Sequence, residues 1–505
     1  MNLSDILDHH ALARPDHPAI EDGARLITYG ELARLVRERA ASLHAVGIRH
    51  GDTVALMLPD SADHLITLYA LARVGAIIFS LSDSGSRRDV EESLAGVSVD
   101  AVIAPRAKIS ATAIGAESGE GPRPFGKDLL NIAAEDLLRT GAPPVDAPDI
   151  GDDAPILLVQ SSGTTGTPKT FLCSHAEMAE LLRRYAIVQE WSAEDRCLSL
   201  NHLSFNIGRN VCMGMLRVGA TVIADHANSV EELALFIQEK HVSYVKLTPA
   251  HTKVLLNFNS DREPLFPDVR AMVVGSSPLK WEDRQSARRK LTDNFYEQLG
   301  ANEAGLLVMA TPADQDARPE ALGRVVQGVE AEIVDDVGTR LAPGEIGQVR
   351  YRGAGIASRY IDNPEASARA FRDGWFYPGD LASIDAKGYL YHKGRADDVI
   401  NNQGAKFYPI ELENVLLSHP EVVEAAVLGW PHKVLGQVAA AFVVRNSQST
   451  NDKDLIAYCQ DHIAVHKRPA MIIHLSELPK NAMGKVIKNT LRDQLKTKLQ
   501  NRKLN

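Results

Sequence analysis

The sequence predicts an α/β fold: a large N-terminal domain of parallel-sheet αβ subdomains plus a small β-rich subdomain, then a small C-terminal α+β domain. Over the first 110 residues, and again from residue 240, apolar runs of strand length alternate with segments of helical periodicity. Such alternation is typical of βαβ units and a mainly parallel sheet. From Glu330 the strands shorten and turn signals such as Asp373-Gly374 separate them, which predicts the β-rich subdomain.

The elements of the N-terminal domain follow from the spacing of its apolar residues. Helical spacing occurs at residues 31–46 and 62–74, and a helical island is expected at 129–138. Strand patterns occur at residues 53–58, 102–104, 156–159, 244–247 and 271–274. These elements account for the predicted parallel sheet.

The pattern changes again after Gly394, where a small α+β unit begins. Helices are expected at 409–418 and 452–463, and strands at 422–428 and 438–444. We therefore place a domain boundary near Asp397, which divides the chain into residues 1–396 and 397–505.

Composition and charge exclude several classes of protein. Hydrophobic residues make up 45% of the 505 and charged residues 24%, the balance of an ordinary globular chain. A net charge of −10 argues against nucleic-acid binding, which favours a basic face. The most apolar run, residues 64–79, contains Arg73 and is too short to span a bilayer. Four cysteines without CxxC spacing favour a reducing compartment, so we expect a cytoplasmic protein.

The strongest single motif is the loop at residues 161–169, SSGTTGTPK, which follows the apolar strand at 156–159. Its hydroxyl side chains and exposed backbone N–H groups suit a polyphosphate, and Lys169 adds a positive charge. The spacing differs from the Walker motif because Pro168 precedes the lysine. A Ser/Thr/Gly surface turn is the alternative interpretation of such a composition. Residues 174–177 have capping-box spacing and open the next helix.

The loop and further segments resemble, in order and spacing, the motifs of the adenylate-forming superfamily. That superfamily comprises acyl- and aryl-CoA synthetases, the adenylation domains of peptide synthetases and beetle luciferases. The other matching segments are 51–54 (GDTV), 323–324 with 334–336, 375–380 (WFYPGD), 394–400 (GRADDVI) and 479–485 (PKNAMGK). The resemblance covers essentially the whole chain and implies a C-terminal domain that is mobile.

The resemblance implies an enzyme that joins a small carboxylic acid to AMP from ATP, expels pyrophosphate, and passes the acyl group to CoA. Mg²⁺ is the implied metal. Because the first step brings a carboxylate anion to a polyphosphate, its transition state needs cations and N–H donors more than a general base. Lys485 is the implied catalytic residue, and Glu303 with the Thr164 hydroxyl is the implied magnesium site.

The implied nucleotide site contains two departures from the superfamily's usual Tyr-Gly-x-Thr-Glu segment. Leu299 takes the tyrosine place and offers apolar contact to adenine without ring stacking, while Asn302 replaces threonine and keeps a donor. Asp380 and Arg395 resemble the pair that holds the ribose hydroxyls. The full implied ATP/AMP set is Ser161, Ser162, Gly163, Thr164, Thr165, Gly166, Lys169, Leu299, Gly300, Asn302, Asp380 and Arg395.

Two further positions concern the second half-reaction. Asp397 resembles the hinge residue about which the C-terminal domain swings between the two steps. Gly404 resembles the residue that leaves room for a pantetheine arm in the thiol channel.

The implied acyl pocket contains Phe205, Asn206, Gly275 and Ser276. Amino-acid-activating relatives carry Asp at the place of Asn206, and a neutral amide cannot balance an ammonium. An acid without an α-amino group, aryl or aliphatic, is therefore expected. Arg209 follows three residues after Asn206 and either meets a second carboxylate or, as arginines more often do, faces solvent.

Three alternatives remain open at this point. A freestanding adenylation enzyme would load an aryl, acyl or amino acid onto an acyl carrier protein, and the basic segment 485–503 suits an acidic partner. The same segment is also typical of a solvated terminal helix. A nucleotide-binding protein without catalysis would lack Lys485 or Glu303, and both are present. A luciferase-like oxygenase would keep the same adenylation site.

Overall fold

The structure is a computed structural model that describes residues 2–94, 96–112, 129–138, 150–161, 169–224, 227, 229–258, 264–276, 279–402, 405–446, 451–480 and 486–501. Its helices are α1 (Asp5–Ala13), α2 (Tyr29–Ala45), α3 (Ala62–Val74), α4 (Arg87–Leu94), α5 (Arg106–Thr112), α6 (His175–Val188), α7 (Asn206–Val218), α8 (Val230–Glu239), α9 (Pro249–Leu256), α10 (Trp281–Lys290), α11 (Pro312–Ala317), α12 (Pro364–Ala370), α13 (Pro409–Leu417), α14 (Asp452–His462) and α15 (Lys488–Asn501). Short 3₁₀ segments occupy Ala134–Leu138, Ala396–Asp398 and Val465–Lys467.

The strands form three sheets. They are β1 (Pro18–Asp22), β2 (Arg25–Thr28), β3 (Thr53–Leu56), β4 (Ile77–Ser80), β5 (Ala101–Ala104), β6 (Leu130–Ala133), β7 (Pro155–Ser161), β8 (Lys169–Ser174), β9 (Arg196–Ser199), β10 (Thr221–Ile223), β11 (Tyr244–Leu247), β12 (Ala271–Val274), β13 (Phe295–Ala301), β14 (Gly305–Ala310), β15 (Gly323–Val325), β16 (Val329–Val334), β17 (Gly347–Gly353), β18 (Phe371–Arg372), β19 (Trp375–Phe376), β20 (Asp380–Ile384), β21 (Tyr389–Arg395), β22 (Ile400–Asn402), β23 (Ala405–Phe407), β24 (Val422–His432), β25 (Gly436–Arg445) and β26 (Pro469–His474).

The first sheet has the strand order β6-β5-β3-β4-β7-β8 and is parallel except for the β7–β8 pair. Its parallel connections run through helices, as the alternating pattern predicted. Helix α3 joins β3 to β4 and is buried almost throughout, so its sequence is apolar around most of its circumference.

The expected helix at 129–138 is wrong. Residues Leu130–Ala133 form β6, which pairs in parallel with β5, and a 3₁₀ turn follows. Pairing with β5 buries Ile132 and Ala133, and this burial outweighs the local helical spacing.

The second sheet combines the parallel and β-rich parts of the fold. Strands β1, β10, β9, β11, β12 and β13 are parallel to one another, and β14, β15, β21, β20 and β17 continue the sheet in antiparallel fashion. Two hydrophobic clusters cover the two faces of the parallel part. Cys197, Tyr244 and Val273 lie in the cluster that contains residues of α7, whereas Val245 and Met272 lie in the cluster that contains residues of α8 and α10.

The third sheet, β23-β22-β25-β24 with β26 beside β25, belongs to the C-terminal part of the chain. One of its faces packs against α13 and α14 through Leu412 and Leu455, and the other packs against α15 through Leu491 and Leu495. The predicted α+β character is therefore present. Within the described ranges, no helix has the length and apolar character that crossing a bilayer requires.

The fold places the carboxyl ends of β9, β11, β12 and β13 at one edge of the parallel sheet, where open α/β sheets bind ligands. The segment after β9 turns there into the N-terminus of α7. Gly208 lies in the first turns of that helix. A Cβ at Gly208 would lie 2.3 Å from the carbonyl oxygen of Asn201 and 2.4 Å from that of His202.

We expect Gly208→Ala to lower the free energy of unfolding by about 2 kcal/mol, because the added methyl meets backbone atoms that cannot move aside cheaply. The measurement is the midpoint of thermal unfolding. Gly151→Ala is the matched control, since a Cβ at Gly151 meets no atom within 4 Å. Equal midpoints for the two variants would contradict the close packing of α7 on this loop.

Candidate active site

A cavity lined by β7, β8, α6, α7 and the turn after β13 brings together residues predicted for different parts of the site. Asn206 of the expected acyl pocket shares this cavity with Asn302 and Glu303 of the expected nucleotide and magnesium sites. These residues are separated by almost 100 positions in the sequence. The folded chain therefore places the proposed acid and metal positions beside each other.

Glu303 is held in place by an aromatic residue that the sequence analysis missed. Its side chain is only 9% exposed, and the Tyr360 hydroxyl donates a hydrogen bond of 2.8 Å to Glu303 Oε1. Burial and the Glu303 charge both raise the pKa of Tyr360, so the hydroxyl stays a donor. Lys169 Nζ lies 5.2 Å from the Tyr360 ring centroid, within cation–π range. No spacing signal connects Tyr360 with residues so distant in sequence.

The segment around Leu299 depends on a close backbone approach. A Cβ at Gly300 would lie 2.4 Å from the carbonyl oxygen of Gly305, so the tight β13–β14 turn requires glycine there. Asn302 Nδ2 donates to the carbonyl oxygen of Gln160 at 3.4 Å. Asn302 therefore lies at the end of β7, where the predicted phosphate loop departs.

The two ends of that loop are joined by the sheet. Ser161 closes β7 and pairs with Lys169, the first residue of β8, in antiparallel register. The capping box predicted at Ser174 and Glu177 is present, with reciprocal hydrogen bonds of 3.1 and 2.8 Å. Seven predicted site residues lie outside the described part of the chain: Ser162, Gly163, Thr164, Thr165, Gly166, Gly404 and Lys485.

Asp380 and Arg395 are paired in the antiparallel β20–β21 ladder, and Arg395 Nη1 donates to Asp380 Oδ1 at 3.0 Å. Burial acts to raise the pKa of Asp380, but the His392 imidazole, whose Nε2 lies 3.6 Å from Asp380 Oδ1, and the Arg395 charge outweigh it. The net effect lowers that pKa, so the carboxylate is ionised and accepts hydrogen bonds. Sequence reasoning paired the two residues correctly but did not identify His392.

Asn206 and Arg209 interact directly on the first turns of α7. The side chain of Arg209 is 2% exposed, so the expectation that it faces solvent is wrong. Arg209 Nη2 donates to Asn206 Oδ1, and Nη1 donates to Ser80 Oγ at 3.2 Å. Burial lowers the pKa of Arg209 to about 10, which leaves the guanidinium charged at neutral pH. The wall beside Asn206 is therefore positively charged, and Phe205 precedes it.

Gly275 and Ser276 follow β12 and lie beside a buried lysine. A Cβ at Gly275 would lie 2.9 Å from Gln298 Cγ and 3.2 Å from Lys246 Nζ. Ser276 has a φ of 83°, a left-handed conformation that a non-glycine residue adopts at an energetic cost. The expected floor of small residues is thus a strained turn at the edge of the sheet.

Lys246 is fully buried in β11, and no hydrogen-bond acceptor among the described residues reaches its Nζ. Burial lowers its pKa from 10.5 to about 7. The sequence analysis missed this residue, although a lysine between the apolar Val245 and Leu247 was a signal.

Asp397, the expected hinge, lies in the 3₁₀ segment that connects β21 of the large sheet with β22 of the small one. The neighbouring Asp398 carboxylate lies 2.9 Å from Lys488 Nζ and 3.5 Å from Arg492 Nη2, both on α15. Ion pairs therefore join the connection to the C-terminal helix.

Comparison with family models accounts for most of the chain. Residues 7–361 match the model described as AMP-binding enzyme, and residues 411–485 match that of the AMP-binding enzyme C-terminal domain. The chain belongs to the family of AMP-binding enzymes. Because the first match alone covers more than half of the 505 residues, the assignment does not rest on isolated motifs.

Individual relatives of this AMP-binding enzyme match over their full length. Indoleacetate–CoA ligase of Aromatoleum aromaticum is 29% identical over 97% of this chain and 98% of its own. Feruloyl-CoA synthase of an Amycolatopsis species is 29% identical over 95% of this chain and 96% of its own. The crystal structure of ATP-bound MatB from Rhodopseudomonas palustris superposes with a TM-score of 0.85 at 26% identity, covering 98% of each chain. The predicted fold class is confirmed by these matches.

We expect Lys246→Met to stabilise this AMP-binding enzyme by several kcal/mol near pH 6, because it removes a buried ammonium that no described residue compensates. Between the folded pKa of about 7 and the ordinary value of 10.5, the unfolded state binds more protons than the folded state. Wild-type stability therefore rises with pH over that window, and the advantage of the variant shrinks toward pH 10.

The measurement is the unfolding midpoint of both proteins at about pH 6 and about pH 10. Lys253→Met is the control, since the Lys253 side chain is 45% exposed on α9. If Lys246→Met instead loses stability equally at both pH values, the Lys246 ammonium is compensated in the folded protein.

Proposed function

We propose that this chain is an ATP-dependent, AMP-forming carboxylic acid–CoA ligase that works through an acyl-adenylate and then a thioester. The observation that carries the proposal is the full-length match to AMP-binding enzymes, including relatives named CoA ligase and CoA synthase. The proximity of Asn206, Asn302 and Glu303, which line one small cavity, supports it, because the reaction needs the acid beside the phosphates.

In this proposal, ATP binds between the loop at 161–169 and the end of β13. Leu299 covers the adenine by apolar contact, Gly300 allows the backbone to turn, and Asn302 donates to the α-phosphate. Asp380 accepts hydrogen bonds from the ribose hydroxyls, and Arg395 fixes its orientation. The lowered pKa of Asp380 supports this role, since an ionised carboxylate is the better acceptor.

Magnesium fits the residues around Glu303. The described residues contain no cluster of three or more metal-ligating side chains, and Mg²⁺ is commonly held by one or two carboxylates together with substrate phosphates. Glu303 supplies such a carboxylate, Tyr360 orients it, and the Thr164 hydroxyl is the proposed partner. When bound, the ion neutralises phosphate charge.

The two half-reactions are assigned to two arrangements of the domains 1–396 and 397–505. Lys485 contacts the acid carboxylate and the α-phosphate in the first, and Gly404 opens the CoA channel in the second. Asp397 is the hinge. The division is supported by the sheets, since the large one ends at Arg395 and the small one begins at Ile400.

The acid lacks an α-amino group in this proposal. Asn206 Oδ1 already accepts from Arg209, so an ammonium at this wall would meet a positive charge without a counter-charge. Asn206→Asp would not admit an amino acid either, because the new carboxylate would pair with Arg209. The positive charge at this wall therefore favours aryl or aliphatic acids.

A freestanding adenylation enzyme that loads a carrier protein is the alternative, and the basic α15 is its support. Lys488 and Arg492 of that helix are engaged by Asp398, which weakens a role in docking an acidic partner. We assign the enzyme to the cytoplasm, in line with its four buried, unpaired cysteines.

The test is pyrophosphate release across a panel of aryl and aliphatic acids, each paired with its α-amino derivative, with and without CoA. We expect release with ATP and Mg²⁺, thioester formation when CoA is added, and discrimination against the amino member of each pair. Absence of release with every acid would refute the ligase. Preference for the amino members would promote the carrier-loading alternative.

We expect Lys485→Ala to slow acid-dependent ATP–pyrophosphate exchange by about 10²- to 10³-fold, because one preorganised positive charge at the reacting phosphate is lost. Thioester formation from a supplied acyl-adenylate should continue at nearly the wild-type rate. Lys480→Ala is the control on the same segment, since Lys480 pairs with Glu424 at 2.6 Å. Equal losses in the two half-reactions would contradict the role of Lys485.

A further inference from the structure

Lys246 occupies a position in the sheet that nothing in the proposed adenylation chemistry requires. Parallel pairing sets it beside Ser199 of β9 and Val273 of β12, and Val273 is in turn paired with Tyr296 of β13. Paired residues of neighbouring strands project from the same face. Lys246 therefore shares the α7-facing side of the sheet.

Two residues further along the chain from Val273 and Tyr296 lie Gly275, which directly follows β12, and Gln298 of β13. Nζ of Lys246 lies within 3.2 Å of the position that a Cβ at Gly275 would occupy, so it borders the proposed acyl pocket. A Cβ at position 275 would also lie 2.9 Å from Gln298 Cγ, so a larger residue would not fit without displacing its neighbours. Glycine at this position therefore allows the buried Lys246 Nζ to lie close to the backbone of the proposed pocket floor.

Two polar groups here have no partner among the described residues. Both Lys246 Nζ and Gln298 Oε1 are buried and form no hydrogen bond. The Gln298 amide can rotate to present its NH₂ group instead of its oxygen, and would then donate alongside the lysine. A ligand that accepts hydrogen bonds at both positions would satisfy this end of the pocket.

No charged side chain of the described residues compensates Lys246, whose lowered pKa has burial as its one cause. Arg209, a buried cation beside Asn206 of the proposed pocket, differs because its Nη atoms already donate to Asn206 and Ser80. Burying an ammonium without a partner costs free energy that a structural role does not return. A bound anion would recover part of that cost.

We propose that Lys246 is a specificity-determining residue that binds a second anionic group, such as a distal carboxylate, on the acid substrate. The inference rests on the proposed function for the location of the acyl pocket. It extends that function by naming a substrate class: acids with an anion at the end opposite the carboxylate that is adenylated.

The experiment compares three matched acids on an aryl and on an aliphatic scaffold. The aryl set is terephthalate, 4-carbamoylbenzoate and benzoate; the aliphatic set is adipate, its monoamide and hexanoate. The amide keeps the size and the hydrogen-bonding oxygen of the distal group without its charge. The specificity constant for pyrophosphate release is measured for wild type, Lys246→Met and Lys246→Arg, with Lys253→Met as the control.

We expect wild type to prefer the dicarboxylate over its amide by at least about tenfold on one scaffold, as a charge-assisted hydrogen bond predicts. Lys246→Met should lose about 10- to 100-fold on that dicarboxylate while keeping or improving its activity with the amide and the monocarboxylate. Lys246→Arg should retain part of the preference, and Lys253→Met all of it.

Two outcomes would overturn the inference: no preference for the dicarboxylate in wild type on either scaffold, or an equal loss on all three acids in Lys246→Met. Calorimetric binding of the same acids without ATP separates this failure from failure of the ligase. Lysine-dependent binding without pyrophosphate release would refute the ligase and leave the anion site standing. Release without any lysine-dependent preference would refute the anion site alone.

Discussion

The parallel pairing of β9, β11, β12 and β13 is the constraint on which the rest of the site depends. Parallel strands end at the same edge of a sheet, so the chain segments that leave them converge there. One of these segments turns into α7 with Asn206, another supplies Gly275, and a third continues to Asn302 and Glu303. Residues from three separate parts of the sequence therefore converge at this edge without a dedicated binding loop for each.

Charge is distributed unevenly around the candidate site. The anionic groups Glu303 and Asp380 are each held by a donor, Tyr360 and Arg395 respectively. The buried cations differ among themselves, because Arg209 is hydrogen-bonded whereas Lys246 is not among the described residues. A site that binds a polyphosphate and a carboxylate is expected to be rich in cations. The proposed division assigns the metal to Glu303, the ribose to Asp380 and the distal end of the acid to Lys246.

The antiparallel part of the large sheet has a different function in the fold. It carries Asp380 and Arg395 in register and ends where the small sheet begins. The connection at Asp397 is three residues of 3₁₀ helix, too short to bury a core of its own, while Asp398 is tied to α15 by ion pairs. In the proposed swing the connection and α15 would therefore move together as part of the C-terminal domain.

The sequence alone was sufficient for the fold class, for most of the elements that it predicted and for the family, because these depend on local periodicity and on motifs of adjacent residues. Helix α3 and strands β11 and β12 have the predicted bounds, and Ser174 caps α6 as its spacing indicated. The pairing of Asp380 with Arg395 could be predicted in the same way, because the two residues belong to motifs that follow the order found in the family.

The tertiary structure decided which side chains are buried and what they meet. Residues 130–133 form a strand because β5 was available to pair with them, and Arg209 is buried where its guanidinium donates to Ser80 of β4. Tyr360 reaches Glu303 across 57 positions, and Lys246 faces Gly275 only because β11 and β12 are neighbours in one register. Whether a residue is buried, and which groups it contacts, depends on the elements that cover it. The hydrophobic periodicity of a single segment contains no information about the elements that pack against that segment.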